Sequence, residues 1–327
     1  MERRLLLLKQ AKHFQELAVC DSTRKGYDRI TRAFWSSMVD NGFQVAEFWP
    51  GQGEALQEEI ILAYIAILIN SDVQASTIKS KLSALKWSCD MQRIGSDAFG
   101  SIAVTRLKEG VKRQRPNRGR KSAPITVAVL QDLKRWADTN RQDQNARRLF
   151  LIMLLAFATF ARPIEVIQWR AANIRFTEEG IEWTSKTRKT DRYREGQITF
   201  IAEIRGSELC PKNNLLAWIC DQEWPSEVNM NRPFFPGAGE PRMEGPAAVS
   251  EKTIAKHLQL YLGKIGYRGR RITPHGGRAG GASAAHQGGA SLEDIMAQGH
   301  WAGKESAMGY CERSRIQRYE ISRNLGL

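Results

Sequence analysis

Hydrophobic residues in the first third of the chain recur every three or four positions, which is the period of an amphipathic helix. The first predicted helix carries Phe34 and Met38 on its apolar side, with Ser22 or Thr23 as its N-cap and Gly42 at its end. Three further helices follow the same period, at residues 56–69, 76–85 and 104–111. This pattern predicts a small all-helical domain.

The helical period continues after residue 126. Helices are predicted at 127–136, at 145–160 and from Pro163 in RPIEVIQWR, where a proline suits the first turn. The run Leu149–Phe160 is apolar on every side, which is typical of a buried helix.

The period then changes to that of strands. Residues 181–185 and 197–203 are β-like and flank the polar segment KTRKTDRYRE. We therefore expect a hairpin with a long charged tip. Helices resume at about residue 249 and continue to the end of the chain.

Charge and composition restrict the partners. The 327 residues include 49 Lys and Arg against 35 Asp and Glu, a formal net charge of +14, which favours a polyanion such as DNA or RNA. No apolar run reaches the length of a membrane span, and MERRLLLLKQAKH is too short for a signal peptide. Five cysteines without a CxxC pair indicate neither a disulfide framework nor a zinc cluster. We expect an intracellular setting, in the cytoplasm or nucleoid, or in the nucleus of a eukaryotic host.

The most uneven composition lies in KRQRPNRGRK, residues 112–121, with six basic residues and no acid. This stretch predicts a linker, either a solvated joint or one that also contacts phosphates. The predicted division is a helical domain at 1–111, a basic linker at 112–123 and a second domain at 124–327. The basic residues expected on DNA are Lys79, Lys86, Lys112, Arg113, Arg115, Arg118, Arg120 and Lys121.

The chain lacks a P-loop, a full dinucleotide fingerprint and an HExxH pair, so nucleotide-driven and zinc-protease chemistry have no support. No metal and no cofactor are expected. The remaining candidates are cationic, aromatic and phenolic side chains in a fixed order: Arg162, Lys186, His275, Arg278, His300, Trp301 and Tyr310.

These segments together resemble the tyrosine recombinases, a family that includes the phage integrases. FARPIEVIQW is similar to the family's Arg-x-x-Glu helix start, and TSKTRKTDR is similar to its β-hairpin lysine. HGGRAGGASAA is similar to its HxxR motif and the small-residue helix that follows. In LEDIMAQGHWAGKESAMGY, Trp301 precedes Tyr310 by nine residues, as in one of the family's endings. The likeness spans most of residues 125–320.

The resemblance implies a mainly α-helical fold with a small β-hairpin or sheet in the catalytic domain. It implies two domains, a helical core-binding domain and a catalytic domain, which form a C-shaped clamp around duplex DNA. The expected partner is double-stranded DNA with a specific recombination site, bound as a homotetramer on two such sites. No membrane partner is expected.

The resemblance also implies a role for each residue. Arg162 and Arg278 would stabilise the charged transition state, because a guanidinium matches phosphate oxygens in pairs. Lys186 would protonate the leaving 5′ oxygen, and His275 would assist as a proton acceptor or phosphate donor. Tyr310 would attack and form a 3′-phosphotyrosine link that conserves the bond energy.

Two positions around the first arginine stay open. Lys189 lies on the same predicted hairpin tip as Lys186 and is the alternative general acid. Glu165, one turn after Arg162, is expected to orient Arg162 or His275 rather than to catalyse.

The ending offers a second choice. Counting without gaps places Trp301 at the phosphate, because His300 is ten residues before Tyr310 and many family members have a histidine nine before it. His300 is the alternative if one residue is inserted in AGKE. Tyr319 is a possible decoy for Tyr310, but it lacks the spacing to Trp301.

The predicted function is a site-specific DNA recombinase or integrase. A type IB topoisomerase-like or telomere-resolving enzyme would use the same residues. A non-catalytic architectural DNA-binding protein would keep the basic faces and would not need Tyr310.

Overall fold

The computed structural model of the chain describes residues 2–44, 54–92, 95–115, 122–185, 196–222, 231–237 and 247–311. The chain forms two compact units, Met1–Arg120 and Lys121–Leu327, and the boundary between them falls within the predicted linker. None of the described helices combines the length and the apolarity that crossing a membrane requires.

The first unit is built from helices. They are α1 (Glu2–Glu16), α2 (Asp21–Asp40), α3 (Glu54–Asn70), α4 (Ala75–Gln92) and α5 (Ile102–Gln114). Helices α2 to α5 confirm the four predicted from the apolar period, and Phe34, Met38, Tyr64 and Ile65 are buried in their core. Helix α1 has no counterpart among the predictions, because four consecutive leucines do not define one helix face.

The start of α2 differs from the prediction. Cys20 is the N-cap, and Ser22 and Thr23 lie inside the first turn, so neither hydroxyl residue caps the helix. Their hydroxyls instead lie 3.2 and 3.1 Å from the Cys20 Sγ. Asp21 favours this earlier start because an acidic residue in the first turn complements the helix dipole. Gly42 follows the helix with φ +86°, as expected of a residue that ends one.

The first residues of the predicted linker are helical. Helix α5 continues through Lys112, Arg113 and Gln114, with Arg115 as its C-cap. The physical reason is that neither proline nor glycine occurs between Lys112 and Pro116.

The second unit packs eight helices and a small sheet, counted over the described residues. The helices are α6 (Val127–Thr139), α7 (Gln144–Ala158), α8 (Pro163–Ile167), α9 (Pro211–Asp221), α10 (Glu251–Lys264), α11 (Gly276–Gln287), α12 (Leu292–Gly299) and α13 (Lys304–Met308). Every residue from Leu149 to Ala156 is buried, which confirms the predicted buried helix and makes α7 the centre of the unit.

The sheet has three antiparallel strands in the order β1 (Ile174–Phe176), β2 (Gly180–Ser185) and β3 (Gln197–Ala202). Ser185 pairs with Gln197 in the predicted hairpin, whose strands are confirmed. The charged tip at 186–195 lies outside the described residues. Strand β1 is absent from the predictions, since three residues are too few to show a β period. Helix α9 is absent from them as well.

Helix α11 uses glycines to approach its neighbours. A Cβ added at Gly280 would overlap the carbonyl group of Ile125, and one added at Gly281 would overlap the carbonyl oxygen of Phe157. The small-residue stretch after Arg278 therefore lets α11 lie directly on α7 and on the segment before α6.

Gly280→Ala is expected to lower the free energy of unfolding by about 3 kcal/mol, because the added methyl has no space beside Ile125. Urea denaturation of the purified chain measures the change. Gly263→Ala on α10 is the matched control: its Cβ would meet only the Arg268 Nε at 4.0 Å, so stability should be equal or higher by about 0.5–1 kcal/mol. Equal stability of the two variants would contradict the packing argument.

Candidate active site

Arg162 begins α8 and is paired with a buried carboxylate. It is the N-cap, and its backbone N–H donates to the Glu165 Oε2 at 2.9 Å. Its Nη1 donates to the Glu165 Oε1 at 2.7 Å, and the Glu165 side chain is only 4% exposed. A cation at a helix N-terminus is unfavourable by itself. Glu165 compensates that charge and fixes the direction of the guanidinium, which is one of the two roles expected of it.

Arg278 is the most deeply buried charged residue of the site, with 1% of its surface exposed. Its Nη1 donates to the carbonyl oxygen of Phe160, and its Nη2 donates to that of Gly299 at 3.1 Å. Phe160 lies between α7 and α8 with φ +48°, and Gly299 ends α12. One guanidinium thus joins the turn that carries Arg162 to the turn that precedes Trp301.

Two aromatic rings cover Arg278. Its Cζ lies 4.0 Å from the ring centre of Trp301 and 5.4 Å from that of Tyr310. The two rings are 5.3 Å apart with an interplanar angle of 41°. We call these three residues the Arg278 stack. Cation–π attraction favours this arrangement because the guanidinium is largely removed from water.

Tyr310 follows α13 and is partly exposed. Its carbonyl oxygen accepts a hydrogen bond from the Ser283 hydroxyl of α11 at 2.9 Å, which holds this end of the chain beside the helix that carries Arg278. Cys311 is buried directly after it, and burial raises the pKa of the Cys311 thiol.

His300 and Trp301 face different parts of the unit. His300 has a left-handed backbone with φ +50°, and its Nε2 lies 2.9 Å from the hydroxyl of Thr199 on β3. Trp301 packs on Arg278 and Tyr310. The structure therefore brings Trp301, rather than His300, into the Arg278 stack.

The remaining predicted catalytic residues are His275, Lys186 and its alternative Lys189. His275 is exposed at the N-cap of α11, one turn before Arg278. Lys186 and Lys189 lie outside the described residues; Ser185, which directly precedes Lys186, is 3% exposed at the end of β2. The described residues contain no group of three His, Cys, Asp or Glu side chains that could hold a metal ion.

A groove of the first unit carries basic residues from α4 and α5. Lys79 and Lys112 line it together with Lys108, which the sequence analysis missed although it lies one helical turn before Lys112. Lys79 and Lys112 are exposed. The Lys108 Nζ also donates to the Phe99 carbonyl oxygen at 3.3 Å, and Glu109 lines the groove as well, so three lysines face one carboxylate there.

Two other basic residues expected on DNA have partners within the first unit. The Lys86 Nζ donates to the Ser96 Oγ at 2.6 Å and lies 3.3 Å from the Asp90 carboxylate. The Arg115 Nη1 donates to the Ile69 carbonyl and lies 3.0 Å from Asp72, at the end of α3. Arg113 is exposed. Arg118, Arg120 and Lys121 lie outside the described residues.

The structure is similar to several solved recombinases. XerH site-specific recombinase bound to a palindromic difH substrate has a TM-score of 0.59 and 14% identity, over 90% of this chain and 76% of that chain. The Tn1549 transposon integrase in complex with transposon right end DNA has a TM-score of 0.58 and 11% identity, over 99% of both chains. This chain has the tyrosine recombinase fold.

A lambda integrase dimer bound to a COC′ core site agrees with this assignment, with a TM-score of 0.58 and 14% identity over 94% of this chain and 95% of that chain. No family model and no curated protein sequence matches the chain. The tyrosine recombinase fold confirms the predicted mainly helical, two-domain architecture with a small sheet.

Several residues that shape the site could not be found from sequence. Phe160 and Gly299 contribute carbonyl oxygens to Arg278, and every residue type has a carbonyl. Thr199 is 101 positions from His300.

Gly299→Ala is expected to displace Trp301 from Arg278, because the added Cβ would overlap the indole ring. Hydrogen exchange at the amides of residues 304–311 should then become faster, since the Arg278 stack holds this segment. Gly263→Ala on α10 is the control, because its added Cβ would meet only the Arg268 Nε at 4.0 Å and exchange at residues 304–311 should stay unchanged. Unchanged exchange in Gly299→Ala would contradict the role given to the stack.

Proposed function

We propose that the protein is a site-specific DNA recombinase that cuts and rejoins DNA through a 3′-phosphotyrosine intermediate. The observation that carries the proposal is the Arg278 stack, in which a buried arginine, Trp301 and Tyr310 meet within a tyrosine recombinase fold. Arg162 supports it, because Glu165 directs the guanidinium from the start of α8.

The chemistry is a transesterification. The Tyr310 oxygen attacks phosphorus, a Tyr–O–P bond forms, and the bond from phosphorus to the 5′ oxygen breaks. Lys186, with Lys189 as the alternative, gives a proton to that leaving oxygen, and His275 accepts the phenolic proton that Tyr310 loses. Arg162 and Arg278 stabilise the negative charge of the pentacoordinate transition state. Attack by a new 5′ hydroxyl reverses the step and joins a different strand.

Substrate binding has to open the Arg278 stack. Arg278 donates to two carbonyl groups and is only 1% exposed, so a phosphate reaches its remaining N–H groups only after the groups that cover it move. We propose that the scissile phosphate displaces the Tyr310 ring from Arg278 and takes over one of these hydrogen bonds. The phosphate's charge favours the exchange, because a hydrogen bond between charged groups is stronger than one to a neutral carbonyl.

The proposed partner is double-stranded DNA with a specific site. XerH and lambda integrase are bound to their own DNA sites in the similar structures. Here the groove of Lys79, Lys108 and Lys112 is suited to the phosphate backbone, and the net charge of +14 is consistent with this partner. We extend the proposal to a homotetramer on two DNA sites, as the family resemblance implies.

The covalent step is tested with a pool of nicked duplexes of random sequence, from which SDS-resistant protein–DNA adducts are isolated and sequenced. Wild-type protein should yield adducts enriched in one sequence. Tyr310→Phe should yield none, because it lacks the attacking oxygen, while Tyr319→Phe should react like wild type. EDTA should leave the yield unchanged.

Other outcomes identify the rival functions. Adducts formed by Tyr310→Phe would contradict the assignment of the nucleophile. Relaxation of supercoiled DNA without a paired site would indicate a topoisomerase-like enzyme, and sealing of hairpin ends a telomere-resolving one. DNA binding without any adduct from the wild-type protein would indicate an architectural role.

The groove in the first unit is tested through the salt dependence of DNA affinity. Each lost phosphate contact should reduce the slope of log K against log salt concentration by about 0.9, so Lys79→Gln with Lys112→Gln should reduce it by about 1.8. Fluorescence anisotropy with a labelled duplex measures the slope. The matched control, Lys79→Arg with Lys112→Arg, keeps both charges and should keep the slope; an unchanged slope in the glutamine variant would show that the groove does not contact phosphates.

A further inference from the structure

The turn from Gln298 to Trp301 contacts strand β3 through two side chains. The His300 Nε2 lies 2.9 Å from the Thr199 hydroxyl. The Gln298 Nε2 donates to the carbonyl oxygens of Phe200 at 3.1 Å and of Ala158 at 3.0 Å. The turn is therefore attached both to the edge strand of the sheet and to the end of α7.

The same turn forms one wall of the Arg278 stack. The Gly299 carbonyl accepts from the Arg278 Nη2, and Trp301 lies against the guanidinium and the Tyr310 ring. Four consecutive residues thus touch the hairpin on one side and the residues around the nucleophile on the other.

His300 adopts a backbone conformation that glycine would tolerate better. Its φ of +50° and ψ of +49° are left-handed, which is uncommon for a residue with a side chain. Thr199 is 1% exposed, and a buried hydroxyl is costly unless it has a hydrogen-bond partner. The contact gives the buried Thr199 hydroxyl a hydrogen-bond partner. It also provides a reason for histidine, rather than glycine, at a position with a left-handed backbone.

The hairpin connects this contact to the predicted general acid. Thr199 pairs with Trp183 on β2, and β2 ends at Ser185, the residue that directly precedes Lys186 in the sequence. A shift of β3 relative to the turn would therefore also move β2, the strand that leads to Lys186.

We propose that His300 is a positioning residue that holds the β2–β3 hairpin in register with the Arg278 stack. Its imidazole acts through Thr199 and does not contact the phosphate. The general acid is thereby placed at the leaving oxygen while Tyr310 attacks from the stack. This inference rests on the proposed function and adds His300 and Thr199 to the residues that serve it.

The test compares two leaving groups in single-turnover cleavage of a duplex isolated from the nicked pool. One substrate has the normal 5′ oxygen, and the other has sulfur at that bridging position. A thiol ionises near pH 8.5, so a thiolate leaves without a general acid, whereas an alkoxide requires one. A defect in placing the acid should appear with oxygen and disappear with sulfur.

His300→Gly and Thr199→Val are the test variants. Glycine keeps the left-handed turn and removes the imidazole, and valine keeps the shape of threonine and removes the hydroxyl. Each should cleave the oxygen substrate about 100-fold more slowly and the sulfur substrate within about threefold of wild type. The double variant should be no slower than either single one, because the two side chains act through one contact.

Controls separate positioning from general damage. Arg162→Ala should lose cleavage of both substrates, because it acts on the phosphate itself. His286→Ala, which removes a histidine from the last turn of α11, should cleave both normally. Equal losses on both substrates in His300→Gly would mean that His300 serves the phosphate or the fold, and near-normal cleavage of the oxygen substrate would mean that it has no role; either result overturns the inference.

Hydrogen exchange without DNA tests the contact separately from the chemistry. His300→Gly and Thr199→Val should speed exchange at the amides of residues 197–202 by about fivefold, the effect of one lost hydrogen bond, and leave the amides of α7 unchanged. Unchanged exchange in β3 would contradict the inference. Absence of wild-type adducts with normal responses in exchange would contradict the proposed function and leave the contact established.

Discussion

The burial of the Arg278 guanidinium is the constraint on which the candidate site depends. An arginine removed from water is costly unless its N–H groups have partners, because the interior cannot replace hydration of the charge. Here the carbonyl groups of Phe160 and Gly299 accept from it, and the rings of Trp301 and Tyr310 cover it. These partners come from three separate segments of the chain. The position of each segment is therefore fixed by its contact with the Arg278 side chain.

Close packing of α11 makes that arrangement possible. Gly280 and Gly281 follow Arg278, and both lie so near other backbone segments that a methyl group would not fit. Arg278 can reach the Phe160 carbonyl only if its helix lies directly on α7. Phe160 contributes to the same geometry. Its left-handed backbone lies between the end of α7 and Arg162, the N-cap of α8, and changes the direction of the chain there.

Sequence reasoning located features that side chains encode and failed where backbone groups are involved. The apolar period located helices such as α2 and α7, and the spacing selected Trp301 over His300 as the residue at the phosphate. The structure brings Trp301 against Tyr310 and Arg278, and its catalytic role stays a prediction. The acceptors of Arg278 are carbonyl oxygens, which have no residue signature. The N-cap of α2 was misplaced because four consecutive residues there, Cys20 to Thr23, are polar or carry a thiol. The Thr199–His300 contact forms only through tertiary folding. The two residues are 101 positions apart, so the local sequence around one does not indicate the other.

In the proposed mechanism, the two sides of the Gln298–Trp301 turn would allow attack and protonation to be coordinated without a shared residue. In an in-line displacement the attacking and leaving oxygens lie on opposite sides of phosphorus, so the nucleophile and the acid must be kept apart at a fixed separation. Gly299 and Trp301 contact Arg278 and Tyr310, whereas His300 contacts Thr199 of the hairpin. Because adjacent residues of one short turn serve the two sides, opening of the Arg278 stack by a phosphate would be transmitted to β3 through the backbone of the turn.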